Sequence, residues 1–123
     1  MIRTALLLLA VILSGATSAA AADAVAGKAI FNRCKICHTL EAGAGNRVGP
    51  NLHGVIGRKA GTTDGFAYSE AMKSSGVTWD DETLGKYLQD PKNFVPGNKM
   101  AFPGIADPAQ LADLLAYLQE ATP

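Results

Sequence analysis

The 123-residue sequence has only two cysteines, two histidines and one tryptophan, and no excess of either charge. Two cysteines cannot build the multi-disulfide frame of a small secreted scaffold. Eleven Lys and Arg against eleven Asp and Glu lack the basic balance of a nucleic-acid-binding domain. Near-zero net charge with 48% hydrophobic residues also excludes a chain that stays disordered for want of apolar surface. No convincing strand alternation and no internal repeat are present. After residue 22 no apolar run approaches the ~20 residues that span a bilayer. A chain of this length is expected to form one small domain.

The amino terminus reads as an address. Met1-Ile2-Arg3 carries one positive charge, and Ala5 to Leu13 is an unbroken apolar run. Small residues follow, from Ala16 to Ala22. These are the three parts of a secretory signal peptide, and the apolar run is too short for a membrane anchor. Residues 1–22 are therefore expected to be removed after Ala22, leaving Asp23–Pro123 with 10 basic and 11 acidic residues. The mature protein then works outside the cytoplasm, which in a bacterium is the periplasm.

The remaining residues predict an all-α domain with long loops. Asp23 to Arg33 has helical spacing of Ala26, Ala29 and Ile30, with Asp23 as cap. Gly27 inside it implies close packing against the backbone. Thr39 to Gly65 is rich in Gly, Asn and Pro without a period, a loop long enough to be functional or wrapped around something. Phe66 to Ser74 suits a short helix. Thr78 is read as the cap of another, with Asp80, Asp81 and Glu82 in its first turn and Pro91 at its end. Lys92 to Val95 suits one more turn. Asp107-Pro108 opens the last helix, where Leu111, Leu114, Leu115 and Leu118 share one face. So few short helices make a thin core, and domains of this size usually need a staple.

Cys34-Lys35-Ile36-Cys37-His38 supplies one. C-x-x-C-H suits covalent haem attachment, with two thioethers and an adjacent imidazole for the iron. Three other readings stand beside it. A redox dithiol wants a βαβ context, which is absent. A zinc site would recruit Cys34, Cys37, His38 and His53, though adjacent Cys37 and His38 suit tetrahedral zinc poorly. A plain disulfide suits an oxidising compartment. A haem held by His38 needs a ligand on its other face. Met72 falls in a helical segment, where methionine is usually core filler. Met100 falls in the Pro/Gly-ruled segment Pro96–Gly104 and is the better ligand. His53, between Gly-rich neighbours, reads as a surface residue.

Together these residues resemble a class I cytochrome c of the mitochondrial and bacterial respiratory type. The likeness runs from Asp23 to Pro123. It is carried by Cys34–His38, Gly49-Pro50-Asn51-Leu52-His53-Gly54, Gly57-Arg58-Lys59, Trp79, Tyr87-Leu88, Pro91, Pro96-Gly97, Lys99-Met100 and Leu114–Leu118. It implies a small cytochrome c fold of three to five short helices, with long loops wrapped around one covalent haem. Cys34 and Cys37 would form thioethers, and His38 and Met100 would be the axial ligands. Pro50 would accept a hydrogen bond from the other nitrogen of His38. Arg58, Tyr68, Trp79 and Asn98 would surround the propionates, Tyr87 would lie near the methionine sulfur, and Phe102 would cover the haem face. Gly27 and Phe31 would pack on Leu114 and Tyr117. The chain departs from the commonest pattern at Asn98, where Thr is usual, at Ala60, where a hydroxyl is usual, and at Met72, where an Asn often holds a buried water. One residue is missing between Phe31 and Cys34.

The resemblance implies a soluble, monomeric one-electron carrier without enzymatic activity. Its partners would be a bc-type complex, a terminal oxidase, a photosynthetic reaction centre or a periplasmic dehydrogenase. The alternative is a small haem peroxidase or a ligand-binding sensor, either of which needs an open iron position. Charge is unevenly placed: residues 28–59 hold six basic groups and one acidic, residues 60–90 two basic and six acidic. By the resemblance, Arg33, Lys35, Arg47, Lys92 and Lys99 lie near the haem edge, an arrangement that steers encounter.

Overall fold

The computed structural model describes Gly15 and residues 21–123. Apart from Gly15, Ala21 and Ala22, the expected signal peptide lies outside the described residues. Among the described residues five helices follow in order: α1 Ala24–Phe31, α2 Glu70–Lys73, α3 Asp81–Gln89, α4 Pro91–Phe94 and α5 Pro108–Ala121. Among the described residues there is no sheet, only an isolated antiparallel bridge between Lys59 and Thr78. The expected all-α class, with short helices and long loops, is what forms.

Each helix begins where a side chain replaces the missing acceptor for its first N–H groups. Asp23 accepts from Val25 and Ala26, and Ser69 from Met72. Asp90 accepts from Asn93, and Asp107 from Ala109 and Gln110. Three sequence expectations are corrected. First, the cap of α3 is Asp80, not Thr78. Asp80 accepts from the Thr83 N–H at 2.8 Å while the Thr83 hydroxyl accepts from the Asp80 N–H at 2.9 Å. That reciprocal box uses Thr where Glu or Gln is usual. Thr78 contributes only its carbonyl, which the Thr83 hydroxyl reaches at 2.7 Å.

Second, α2 is a single turn rather than Phe66–Ser74. The Ser69 cap starts it late, and Phe66 and Tyr68 instead meet edge to face, ring centroids 4.8 Å apart. Third, α1 ends at Phe31 rather than Arg33. The N–H groups of Asn32, Arg33 and Cys34 each reach back only three residues, the tighter winding that closes many helices.

The first and last helices pack on each other. At their contact a Cβ on Gly27 would stand 1.9 Å from the Asp113 carbonyl oxygen and 2.8 Å from the Tyr117 Cβ. Only a hydrogen fits. Phe31 and Leu114 are almost fully buried beside it, and the Phe31 and Tyr117 rings are 5.5 Å apart. Burying such side chains contributes roughly 1.5–3 kcal/mol each. The long segment 39–65 is wrapped, not free. Asn51 Nδ2 donates to the Thr39 hydroxyl (2.7 Å) and the Glu41 carbonyl (3.0 Å). Farther on, Gly57 N–H donates to the Trp79 carbonyl and Ala60 N–H to the Val77 carbonyl. These bonds place the loop against the residues before α3 and leave a space between them.

Candidate functional site

The space is an apolar cavity of about 270 Å³. The tight turns after α1 deliver the Cys-x-x-Cys-His segment to it. Cys37 N–H donates to the Cys34 carbonyl at 3.1 Å and His38 N–H to the same oxygen at 2.9 Å. Cys34, Cys37 and His38 therefore share one short turn, and all three line the cavity. The Cys34 and Cys37 sulfurs are not joined in a disulfide. Burial pushes the Cys34 thiol above its ordinary value.

His38 is fixed on two sides. Its Nδ1 lies 2.7 Å from the Pro50 carbonyl. A carbonyl only accepts, so Nδ1 carries the proton and the Nε2 lone pair is left for another partner. A Cβ on Gly49 would come within 2.4–2.8 Å of three ring atoms, so the glycine lets the backbone lie flat against the imidazole. Burial lowers the His38 pKa, against the opposing effect of the Pro50 hydrogen bond. Burial prevails, and the net lowering favours the neutral ring that binds metals.

Met100 lines the same cavity. The Tyr87 hydroxyl donates to its sulfur at 3.8 Å, and burial raises the Tyr87 pKa to about 12. The Met100 N–H donates to Asn98 Oδ1 at 2.9 Å. Phe102 lines the cavity as well. Arg58, Tyr68 and Trp79 gather at one place on its wall. Arg58 Nη1 donates to the Thr63 hydroxyl and the Asn51 carbonyl, both at 2.9 Å, and Nη2 to the His53 carbonyl. The Tyr68 hydroxyl accepts from Thr63 N–H at 3.3 Å, and Trp79 N–H donates to the Arg58 carbonyl at 2.9 Å.

Asn98 departs from expectation. It is not part of the cavity wall. Its two amide protons reach the Pro91 carbonyl (2.8 Å) and the Val95 carbonyl (2.9 Å), which leaves none for a propionate. Its work is to brace the loop that presents Met100. Two further residues carry the site without a sequence signal. Thr63 joins Arg58 to Tyr68, and its hydroxyl looks like any loop threonine in the sequence. Gly49 opens the Gly49–Gly54 motif, but only the fold shows that it faces His38.

The competing metal reading fails on geometry. His53 does not line the cavity, and its Nδ1 is 3.2 Å from the Leu40 carbonyl. Among the described residues no group of three His, Cys, Asp or Glu is placed to hold a metal ion. His53 is half-buried rather than a free surface residue. What remains is two thiols, one oriented imidazole and one thioether on an apolar cavity, a donor set that fits a thioether-linked haem. The comparisons agree with that chemistry. The sequence profile of the cytochrome c family matches residues 24–122.

The chain belongs to the class I cytochrome c family.

The family's "Cytochrome c" of Nigella damascena is 49% identical over 105 residues, covering 85% of this chain and 95% of that one. "Cytochrome c2" of Blastochloris viridis is 46% identical over 110 residues, covering 89% and 87%. The solved structure of cytochrome cH from Methylobacterium extorquens has a TM-score of 0.75 and 52% identity, covering 80% of this chain and 98% of that one. As a family member the chain carries one covalent c-type haem, bound through Cys34 and Cys37, and serves as a haem electron carrier. No helix among the described residues is long and apolar enough to cross a membrane.

Proposed function

We propose that the chain is exported, cut after Ala22, and works in the periplasm as a soluble, monomeric one-electron carrier that performs no bond chemistry. In this reading His38 and Met100 would hold the haem iron, and Pro50, Arg58, Tyr68, Trp79, Tyr87 and Phe102 would surround the cofactor. One observation carries it: an imidazole held through Nδ1 by Pro50 and a thioether held by Tyr87 face the same cavity. When bound, the haem supplies a one-electron Fe(III)/Fe(II) couple.

The chain's own groups make that couple reversible. Pro50 holds the His38 proton on Nδ1 and so keeps Nε2 available. Asn98 and Tyr87 hold the backbone and sulfur of Met100. Braced in this way, the two side chains would both be available to the iron, and His/Met ligation raises the potential. The apolar wall, with Leu52, Val55, Leu84 and Leu114 in it, disfavours the extra charge of the oxidised state in the same direction.

Docking is assigned to the basic residues at the cavity mouth. Exposed Arg33 and Lys99 line the cavity. Arg47 Nη1 donates to the Lys35 carbonyl at 3.0 Å, which places two more basic residues together. Such a cluster speeds encounter with an acidic redox partner even when net charge is near zero. The partners are a bc-type complex, a terminal oxidase, a photosynthetic reaction centre or a periplasmic dehydrogenase. The absorption spectrum of ferric protein, with and without cyanide or imidazole, tests the reading. Slow ligand entry is expected. Immediate entry would reveal an open position and replace the carrier by a small peroxidase or a ligand-binding sensor.

A further inference from the structure

Asp23 opens the helical part of the chain with two separate contacts. Its side-chain Oδ1 accepts from Val25 N–H (2.9 Å) and Ala26 N–H (3.3 Å), capping α1. Its own backbone nitrogen donates to Asp113 Oδ1 on α5 at 2.7 Å, across 90 positions of sequence. The backbone of that same Asp113 lies against Gly27. Ala21 and Ala22, just before, are exposed and outside regular structure. The nitrogen bonded to Asp113 is therefore the nitrogen that cleavage after Ala22 sets free.

We infer that removal of the leader turns the Asp23 N–H into an α-ammonium that pairs with the Asp113 carboxylate and fastens α1 to α5. The inference rests on the reading that the chain is cut after Ala22. The step is hydrolysis by a leader peptidase. The Ala22–Asp23 C–N bond breaks and the oxygen of water bonds to the Ala22 carbonyl carbon. A carboxylate is left on the leader, and the Asp23 nitrogen takes up protons to become the ammonium that predominates near neutral pH. A hydrogen bond from a neutral amide to a carboxylate becomes an ion pair between two charged groups.

The pairing matters because of where the new charge lies. An ammonium just before a helix meets the positive end of its dipole, which destabilises the helix. Two carboxylates oppose this. That of Asp23 belongs to α1 itself, but that of Asp113 is supplied only when α1 rests on α5. Cleavage thus makes docking of the two helices the way to neutralise the new terminus. Asp23 is exposed and Asp113 half-buried, so the pair reaches solvent and is screened by salt.

Four holoproteins test this by denaturant unfolding near neutral pH and low salt. Wild type and Asp113→Asn are each prepared as the natural mature chain and as a chain that keeps Ala21 and Ala22 ahead of Asp23. Asn retains an Oδ1 acceptor for the Asp23 nitrogen but loses the charge and carries an NH2 in place of the second oxygen. In the chain beginning at Asp23, Asp113→Asn should lower the folded-to-unfolded ratio by about 1.5- to 5-fold. The longer chain should be less affected, and about 1 M salt should abolish the difference between the two chains. Equal effects in both chains would overturn the pairing and leave the leader reading intact. An intact mass for the natural mature protein that starts anywhere but Asp23 would overturn both.

Discussion

Replacing Gly27 by alanine sets two effects of known sign against each other. Helix propensity alone favours the change, by about 1 kcal/mol per glycine in a helix interior. Packing opposes it. The new Cβ would lie 1.9 Å from the Asp113 carbonyl oxygen and 2.8 Å from the Tyr117 Cβ. Neither neighbour is the tip of a flexible side chain, so relief requires α1 to move off α5. Restoring an ordinary contact of about 3.4 Å to the carbonyl oxygen needs a shift of roughly 1.5 Å. The shift would loosen Phe31 and Leu114, which are 1% and 0% exposed. Inserting one carbon into a packed contact costs about 1–3 kcal/mol and sometimes more. This contact is backbone against side-chain base and belongs at the upper end. Subtracting the propensity gain leaves a net loss of about 2 kcal/mol. For a domain of this size that lowers the melting temperature by about 10 °C. Thermal melts of the holoprotein followed by circular dichroism would measure it. A variant as stable as wild type, or more stable, would show that α1 and α5 do not approach as described. An unchanged haem spectrum at low temperature is expected, because Gly27 is not part of the cavity wall.

Other outcomes follow from the site. Met100→Ala should abolish the methionine-ligated ferric spectrum while Met72→Ala retains it; a methionine-bound spectrum in Met100→Ala would mean that Met72, buried on the same cavity, reaches the iron. Asn98→Leu should destabilise the fold by about 1–3 kcal/mol, because it strips the Pro91 and Val95 carbonyls of their donor and the Met100 N–H of its acceptor; denaturant titration measures this, and an unchanged midpoint would count against the bracing role. Charge reversal at Lys35 and Lys99 should slow association with a redox partner more than reversal at Asp81 and Glu82, most clearly at low salt in stopped-flow kinetics; a larger effect of the acidic pair would move the docking face. Hydrogen bonds from the Thr83 N–H and hydroxyl hold the Asp80 carboxyl below its ordinary range. A lowered folded-state value gives stability that is present above the ordinary carboxylate range and is lost as pH falls through the lower value. Asp80→Asn should therefore show a shallower acid limb of stability than wild type, and an identical limb would remove Asp80 from the acid transition.

The sequence by itself determined what depends on neighbours along the chain. Cys34, Cys37 and His38 lie within five residues, so their proximity needs no tertiary contact and their chemistry can be read directly. The caps at Asp23 and Asp107, with Pro108 behind the second, act within one turn and were equally legible. Met100 stood out because a Pro/Gly segment gives a methionine no helical face to fill. Where two local caps competed, at Thr78 and Asp80, the sequence misled, since the choice rests on which side chain Thr83 answers. The roles of Asn98 and Gly49 were decided only by the tertiary structure. An amide looks equally able to donate to a cofactor or to a carbonyl until the Pro91 and Val95 oxygens are brought within reach. A glycine looks like any turn residue until an imidazole 11 positions away lies where its side chain would be. Joining Asp23 to Asp113, or Arg58 to Tyr68 through Thr63, likewise depends on folding. The hydrogen bonds between them are short-ranged, and in the extended chain nothing marks which distant groups will meet.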